Sequence, residues 1–99
     1  MIRTLVTYKV KQSEIATIVA AIQEFIAAIQ REEPGAVHYE VFQVNGGPDF
    51  IHVMTFRNED AETAHRESDH VSEFVAVLYP NCEVRPKFSS IDSIAAIER

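Results

Sequence analysis

Three of the four histidines lie between Phe50 and Phe74. An imidazole can exchange a proton near neutral pH, so acid–base chemistry is expected in this stretch. His52 lies in the middle of an apolar strand segment, where it is either a hydrogen-bonded core group or a proton acceptor in a pocket. His65 follows on a predicted helix, where a catalytic role and a structural or surface role are both open.

The spacing of His65 and His70 argues against a metal site. Five residues correspond to about 140° around a regular helix, so the two imidazoles would point apart, and no HExxH motif is present. His70 is expected to be a structural or capping residue of a second short helix. No metal, flavin or haem is expected to copurify, because the sequence has no ligand cluster, glycine-rich phosphate loop or aromatic-rich cofactor motif.

The elements around these histidines predict a pocket. Alternation over residues 50–56 indicates a strand whose inward face carries Phe50, His52, Met54 and Phe56. A helix over residues 59–67, with Asn58 and acidic residues at its start, could cover that face.

Met54, Phe56 and Phe74 are expected to shape an apolar cavity, whether it holds a substrate or only neighbouring side chains. Tyr39, on an earlier strand, either bonds a substrate oxygen or belongs to the core.

The rest of the chain predicts the order strand, helix, strand, strand, helix, helix, strand. The strands are expected at Ile2–Val10, at 37–44, at 50–56 and, less regularly, around Val84 to Ile91, where Pro86 requires an edge or a bulge. The long helix begins after Ser13, a possible cap, and ends near Glu33; the last helix begins after Ser68 and stops at Pro80.

This order predicts an α+β domain over residues 1–99, with a ferredoxin-like βαββαβ antiparallel sheet and its helices on one face. The strands carry apolar side chains on both faces, so a second copy of the sheet is the simplest cover for the open face. A twofold homodimer is therefore expected. The apolar tail, with Ile91, Ile94 and Ile97, also indicates a partner surface.

Composition excludes several classes of partner. The formal net charge is −6 and the pI is about 5.1, with only nine dispersed Lys and Arg residues, which argues against nucleic acid and anionic membranes. The one cysteine, Cys82, cannot form an internal disulfide and is expected to be inert. No leader and no uninterrupted membrane-spanning segment is apparent, so a cytoplasmic location is expected.

Three segments together resemble the antibiotic biosynthesis monooxygenase family of dimeric α+β barrels: PGAVHYEVF over 34–42, FRNEDA over 56–61 and AHRESDHV over 64–71. Tyr39, Phe56, His65, Ser68 and His70 fall on positions of the family pattern. Ala36 replaces the usual cysteine and Val71 the usual phenylalanine. The resemblance covers nearly the whole chain and implies the dimeric barrel fold.

The family includes cofactor-free monooxygenases of quinols and anthrones, haem-degrading enzymes and enzymes of small signalling sugars. The resemblance implies a cofactor-independent monooxygenase that acts with dioxygen on a small aromatic or quinol-like compound. His52 or His65 would be the base and Tyr39 a positioning group. Substrate contacts are expected from the five residues Met54, Phe56, Ser68, His70 and Phe74.

Two other functions remain open. One is a non-catalytic ligand-binding or stress-response barrel that uses the same pocket. The other is haem degradation, which in this family relies on a helix histidine with a nearby Asn and Trp. This chain has no Trp, and Val75 lies near the position expected for that histidine.

Overall fold

The computed structural model describes residues 1–99. The chain forms four strands and three α-helices. In order they are β1 (Ile2–Val10), α1 (Ile15–Glu32), β2 (Ala36–Gln43), β3 (Asp49–Phe56), α2 (Glu59–Arg66), α3 (Asp69–Leu78) and β4 (Cys82–Ile91). Short 3₁₀ turns precede α1 at Gln12–Glu14 and follow α3 at Tyr79–Asn81.

The four strands form one antiparallel sheet in the order β2-β3-β1-β4. The strand β3 pairs with both β1 and β2, so it separates the two strands that α1 connects. This is the ferredoxin-like arrangement that the sequence predicts. The register places Val6 opposite His52, and it places His52 opposite Val41 on the other side.

The helices cover one face of the sheet. The apolar stripe of α1, including Ile18, Ile22 and Phe25, is buried against inward side chains such as Phe50 and Phe56. Each such side chain contributes about 1.5–3 kcal/mol when it is fully removed from water. By length and composition alone, Gln12–Glu32 could cross a membrane, but here its apolar side lies in the core of the domain.

Two of the three predicted helix caps are present. Asn58 Oδ1 accepts a hydrogen bond from the Ala61 amide at 2.9 Å, and Ser68 Oγ accepts one from the Val71 amide at 3.3 Å. The predicted Ser13 cap is wrong. Ser13 lies inside the preceding 3₁₀ turn, so Glu14 occupies the N-cap position without a side-chain bond.

The last strand, β4, which the sequence predicts less regularly than the others, lies at an edge of the sheet. Its register against β1 shifts between the pairs Thr7–Lys87 and Lys9–Val84, which places Pro86 at an irregularity. Proline has no N–H for the ladder, so an edge position with a local bulge accommodates it. Beyond Ile91 the chain has no regular structure, and Ile94 is 94% exposed.

The second face of the sheet carries no helix. Alternation places Leu5, Phe42, Ile51 and Val53 on this face, and Phe42 is 45% exposed. The predicted homodimer would cover these side chains, and it stays a prediction.

Candidate functional site

A cavity of about 510 Å³ lies between the sheet and the helices. Its walls are mostly apolar, and the volume is within the roughly 300–1,000 Å³ typical of small-molecule sites. The three residues predicted to be catalytic, His52, His65 and Tyr39, all line it. Three of the predicted substrate contacts also line it: Met54, Phe56 and Phe74. The sheet supplies His52 and Tyr39, whereas α2 supplies His65.

The polar centre of the sheet side is a chain of three rings, Tyr8–His52–Tyr39. The Tyr8 hydroxyl lies 2.7 Å from Nε2 of His52, and the Tyr39 hydroxyl lies 2.8 Å from Nδ1. The antiparallel register brings the three side chains to one face, because β3 lies between the strands that carry the two tyrosines. His52 is only 2% exposed, so both ring nitrogens are satisfied by protein rather than by water.

Burial keeps all three rings of this chain uncharged. Burial, with a smaller contribution from the nearby His65, lowers the pKa of His52 to about 4. Burial also raises the pKa of Tyr8, with a smaller contribution from Cys82, and raises the pKa of Tyr39, with smaller contributions from Tyr8 and Glu33. At neutral pH the Tyr8–His52–Tyr39 chain therefore consists of two phenols and one neutral imidazole.

The Tyr8–His52–Tyr39 chain has one more polar hydrogen than its two internal hydrogen bonds use. Two phenols and a neutral imidazole carry three polar hydrogens, and the two bonds use only two of them. The spare hydrogen belongs to the tyrosine that accepts from the imidazole N–H, either Tyr39 or Tyr8 depending on the tautomer of His52. Both tyrosines line the cavity, so one O–H is available to a bound oxygen atom.

His65 is held from behind by a carboxylate. Its Nδ1 lies 2.9 Å from one oxygen of Glu33 and 3.0 Å from the other, and both side chains are nearly buried. An ionised carboxylate only accepts, so Nδ1 carries a hydrogen and donates it. No protein atom bonds Nε2, yet no fully buried polar atom of the chain lacks a partner, so Nε2 is accessible from the cavity that His65 lines.

A second histidine meets the same carboxylate. His70 Nε2 donates to Oε2 of Glu33, an oxygen that also accepts from His65, and His70 Nδ1 lies 3.6 Å from a carboxylate oxygen of Glu32. The nitrogen and oxygen atoms of Glu33, His65 and His70 lie within 4.8 Å of one another. His65 and His70 therefore point toward one carboxylate, and the prediction that they point apart is wrong. They do not share one regular helix, because α2 ends at Arg66 and α3 begins at Asp69.

Two predicted substrate contacts lie outside the cavity. Ser68 caps α3 and donates its hydroxyl hydrogen to the His65 carbonyl at 2.7 Å. His70 is engaged with Glu33 behind the cavity wall. Both residues line a separate surface depression, where Ser68 bonds the backbone of His65 and His70 bonds Glu33, so neither is placed to touch a ligand in the cavity.

Two residues of the site were missed in the sequence. The sequence places Tyr8 only within the predicted strand Ile2–Val10, and it places Glu33 only near the end of the long helix. The alternation that puts Tyr8 on the inward face of β1 was available, but its pairing with His52 depends on a register that the sequence does not show. Val75, which lies near the position expected for a haem-ligand histidine, lines the cavity. Burial raises the pKa of the half-buried Cys82 thiol, which agrees with the expectation that this cysteine is inert.

Solved structures with this fold are numerous. One described as an antibiotic biosynthesis monooxygenase is 17% identical to this chain, with a TM-score of 0.86 and coverage of 96% of this chain and 100% of the other. Rv0793 from Mycobacterium tuberculosis is 14% identical, with a TM-score of 0.84 and 98% coverage of each chain. A conserved protein from Methanosarcina mazei Go1 is 20% identical, with a TM-score of 0.82 and coverage of 91% and 89%. At these identities the likeness shows the fold alone.

The strand order and the helices define a ferredoxin-like α+β protein with an apolar cavity between its sheet and its helices. The sequence model of the antibiotic biosynthesis monooxygenase family matches residues 1–77, so the chain belongs to that family. No curated protein matches its sequence. Family membership supports a monooxygenase in general terms and leaves its substrate open.

Proposed function

We propose that the protein is a cofactor-independent monooxygenase of small aromatic, quinol-like compounds. The observation that carries this proposal is the meeting of two kinds of polar group in one apolar cavity. The Tyr8–His52–Tyr39 chain offers a spare O–H donor. His65 offers an unpartnered Nε2, and its other ring nitrogen, Nδ1, is bonded to Glu33. A phenol would find both an acceptor for its proton and a donor for the resulting anion.

The proposal assigns the base to His65 and a positioning role to His52. Both ring nitrogens of His52 are occupied by tyrosine hydroxyls, so it has no free nitrogen for a substrate. His65 has the arrangement of a general base, with one nitrogen held by a carboxylate and the other facing the reactant. Tyr39 would position the substrate oxygen, while Met54, Phe56 and Phe74 would contact its ring.

The chemistry needs no group beyond substrate and dioxygen. His65 removes a phenolic proton, and the electron-rich anion, held by the spare O–H of Tyr39 or Tyr8, transfers electrons to dioxygen in a dry cavity. For a simple quinol the balanced reaction is quinol plus O₂ to hydroxyquinone plus water. The substrate supplies all the electrons, one oxygen atom enters the ring, and the other leaves as water.

The direct test is oxygen uptake by EDTA-treated protein with a series of dihydroxyaromatic compounds, followed by mass spectrometry after reaction under ¹⁸O₂. The expected result is consumption of one O₂ per quinol and one labelled atom in the product. Hydrogen peroxide without label in the product would identify an oxidase instead. No uptake with any quinol would remove the oxygenase proposal.

A non-catalytic ligand-binding barrel is the second candidate. The low pKa of His52 favours it, because a neutral, fully bonded histidine between two phenols serves recognition of a ligand oxygen as well as it serves catalysis. Calorimetric binding of the same dihydroxyaromatics under nitrogen separates the two functions. Binding with no oxygen uptake in air would select the binding barrel.

We also propose that the protein is a homodimer formed through the open sheet face. Leu5, Phe42, Ile51 and Val53 would otherwise remain in contact with water, and an apolar patch of this kind marks an interface. Light scattering at micromolar concentration should give twice the 11.2 kDa chain mass, and Phe42→Lys should shift it toward the monomer. A monomeric parent protein would contradict this assembly.

A further inference from the structure

We propose that Glu33, His65 and His70 form a site for a divalent transition-metal ion, with Zn²⁺ as its probe. The two imidazoles reach one carboxylate from different helices, so the three side chains surround a common point. Their ligand atoms lie within 4.8 Å of one another. Zinc bonds of about 2.0–2.2 Å require neighbouring ligand atoms to lie roughly 3–4 Å apart, so the three ligand atoms need only small adjustments of their present separations.

The donor set matches the chemistry of such ions. Two imidazole nitrogens and one carboxylate are the protein ligands of many zinc sites that keep a fourth position open. The carboxylate of Glu33 presents both oxygens to His65, at 2.9 and 3.0 Å, so one-oxygen or two-oxygen coordination is available. The ion would take the place of the two ring hydrogens that now point at the carboxylate, and its charge would offset that of Glu33.

An outer carboxylate lies near one of the ligands. Glu32 lies 3.6 Å from Nδ1 of His70, on the side of the ring opposite Glu33. Metal-bound histidines usually donate their second N–H to such a group, which fixes the ring and makes the ligand nitrogen more basic. The same arrangement would hold Nε2 of His70 toward the ion.

The cluster can be reached from solvent without passing through the cavity. A surface depression of about 360 Å³ includes Glu33 and His70 in its wall, and it also includes Glu32 and Asp69. A water ligand could occupy the open position from this side. The carboxylates of the depression and the net charge of −6 favour entry of a cation.

The metal-bound state and the proposed catalytic state of His65 exclude each other. With an ion on Nδ1, the neutral ring keeps its hydrogen on Nε2, so that nitrogen donates into the cavity and cannot accept a proton. Metal binding itself does not depend on the proposed function, and its test measures no activity.

The test is titration of EDTA-treated, dialysed protein with ZnCl₂ by calorimetry, with thermal unfolding at each zinc concentration. One equivalent should bind and raise the melting temperature. Addition of Co²⁺ should produce visible absorption bands typical of nitrogen and oxygen ligands. His70→Gln keeps an N–H donor for Glu33 but loses the imidazole, and it should weaken zinc binding by at least about 10²-fold. Glu32→Gln should weaken it by roughly 10-fold.

The matched control is His38→Gln. His38 lies 3.2 Å from Glu40 on an exposed strand and offers a histidine–carboxylate pair without the third ligand. This variant should bind zinc as the parent does. If the parent binds no zinc at millimolar concentration, or if His70→Gln binds it equally well, the cluster is a hydrogen-bonding hub only and the proposal is overturned.

Discussion

The two histidines that face the cavity have chemically different partners. His52 lies on the sheet between two neutral phenols, whereas His65 lies on a helix against a carboxylate that it shares with His70. Phenols can donate or accept, so they leave the tautomer of His52 free to change. A carboxylate only accepts, so it fixes the hydrogen of His65 on Nδ1. The same residue type is therefore prepared for two roles by its neighbours alone.

The difference in partners predicts a difference in role. Burial without a nearby negative charge lowers the pKa of His52 to about 4 and makes it a poor base at neutral pH. His65 is buried to a similar extent, but its carboxylate partner would stabilise the positive ring that forms during proton transfer. We therefore expect the helix side to carry the chemistry and the sheet side to bind and orient.

The largest expected effect is on the base. His65→Asn keeps an N–H donor near the Nδ1 position for Glu33 but removes the nitrogen that faces the cavity. It should lower kcat/KM for quinol-dependent oxygen uptake by at least about 10²-fold, the usual contribution of general base catalysis. The exposed His38→Asn is the matched control and should retain full activity. Comparable loss in both variants, or none in His65→Asn, would contradict the assignment of roles.

The inward face of the sheet was predictable from sequence, and the helix cluster was not. Alternation alone places His52, Met54 and Phe56 on one face, because the period of two is a local property of a strand. The meeting of Glu33 with His65 and His70 depends on how α1 ends and how α2 and α3 are joined, which are tertiary facts. The sequence predicts that the last helix begins after Ser68, but it does not predict the direction in which this junction turns His70.

The second prediction concerns stability on the sheet side. The pKa of His52 is about 4 in the folded protein and near 6.5 in the unfolded chain, so between these values the unfolded chain binds the extra proton. Stability is retained above pH 6.5 and is lost as the pH falls toward 4. His52 alone should remove roughly 2.5 kcal/mol from the free energy of unfolding between pH 7.5 and 4.5.

Urea unfolding at both pH values, compared with His52→Gln, isolates this contribution. All other ionisable groups are common to both proteins, so the difference between their changes in unfolding free energy from pH 7.5 to pH 4.5 belongs to His52. The parent should lose more stability on acidification than the variant. Equal slopes would show that His52 is already protonated or solvated in the folded protein.

The third prediction concerns the position of α2, which a substitution at Gly35 should change without replacing a histidine. A Cβ added at Gly35 would lie 2.5 Å from Cβ of Ala61 in the first part of α2. Gly35→Ala should therefore displace α2 and cost about 1–3 kcal/mol of stability, with reduced activity because α2 carries His65. Adding Ala61→Gly should recover part of both losses in melting and oxygen-uptake measurements. If the double variant is no better than Gly35→Ala, the close contact is not the cause.

The smallest expected effect is the loss of kcat/KM when either tyrosine of the Tyr8–His52–Tyr39 chain is replaced by phenylalanine. If the spare O–H of this chain binds the substrate oxygen, Tyr39→Phe removes one possible donor and leaves Nδ1 of His52 without a partner. One hydrogen bond contributes about 0.5–1.5 kcal/mol net, which corresponds to a loss of up to roughly tenfold in kcat/KM. Tyr8→Phe should cause a loss of similar size, because it leaves Nε2 unpartnered and disturbs the same hydrogen count.

The two tyrosine substitutions should not act independently. Either one interrupts the chain, so the double variant Tyr8→Phe with Tyr39→Phe should lose less activity than the product of the single losses. Kinetics at several quinol concentrations, with melting curves as a control for folding, would measure this coupling. Losses that multiply would mean that each hydroxyl contacts the substrate separately, and His52 would then have no role in linking them.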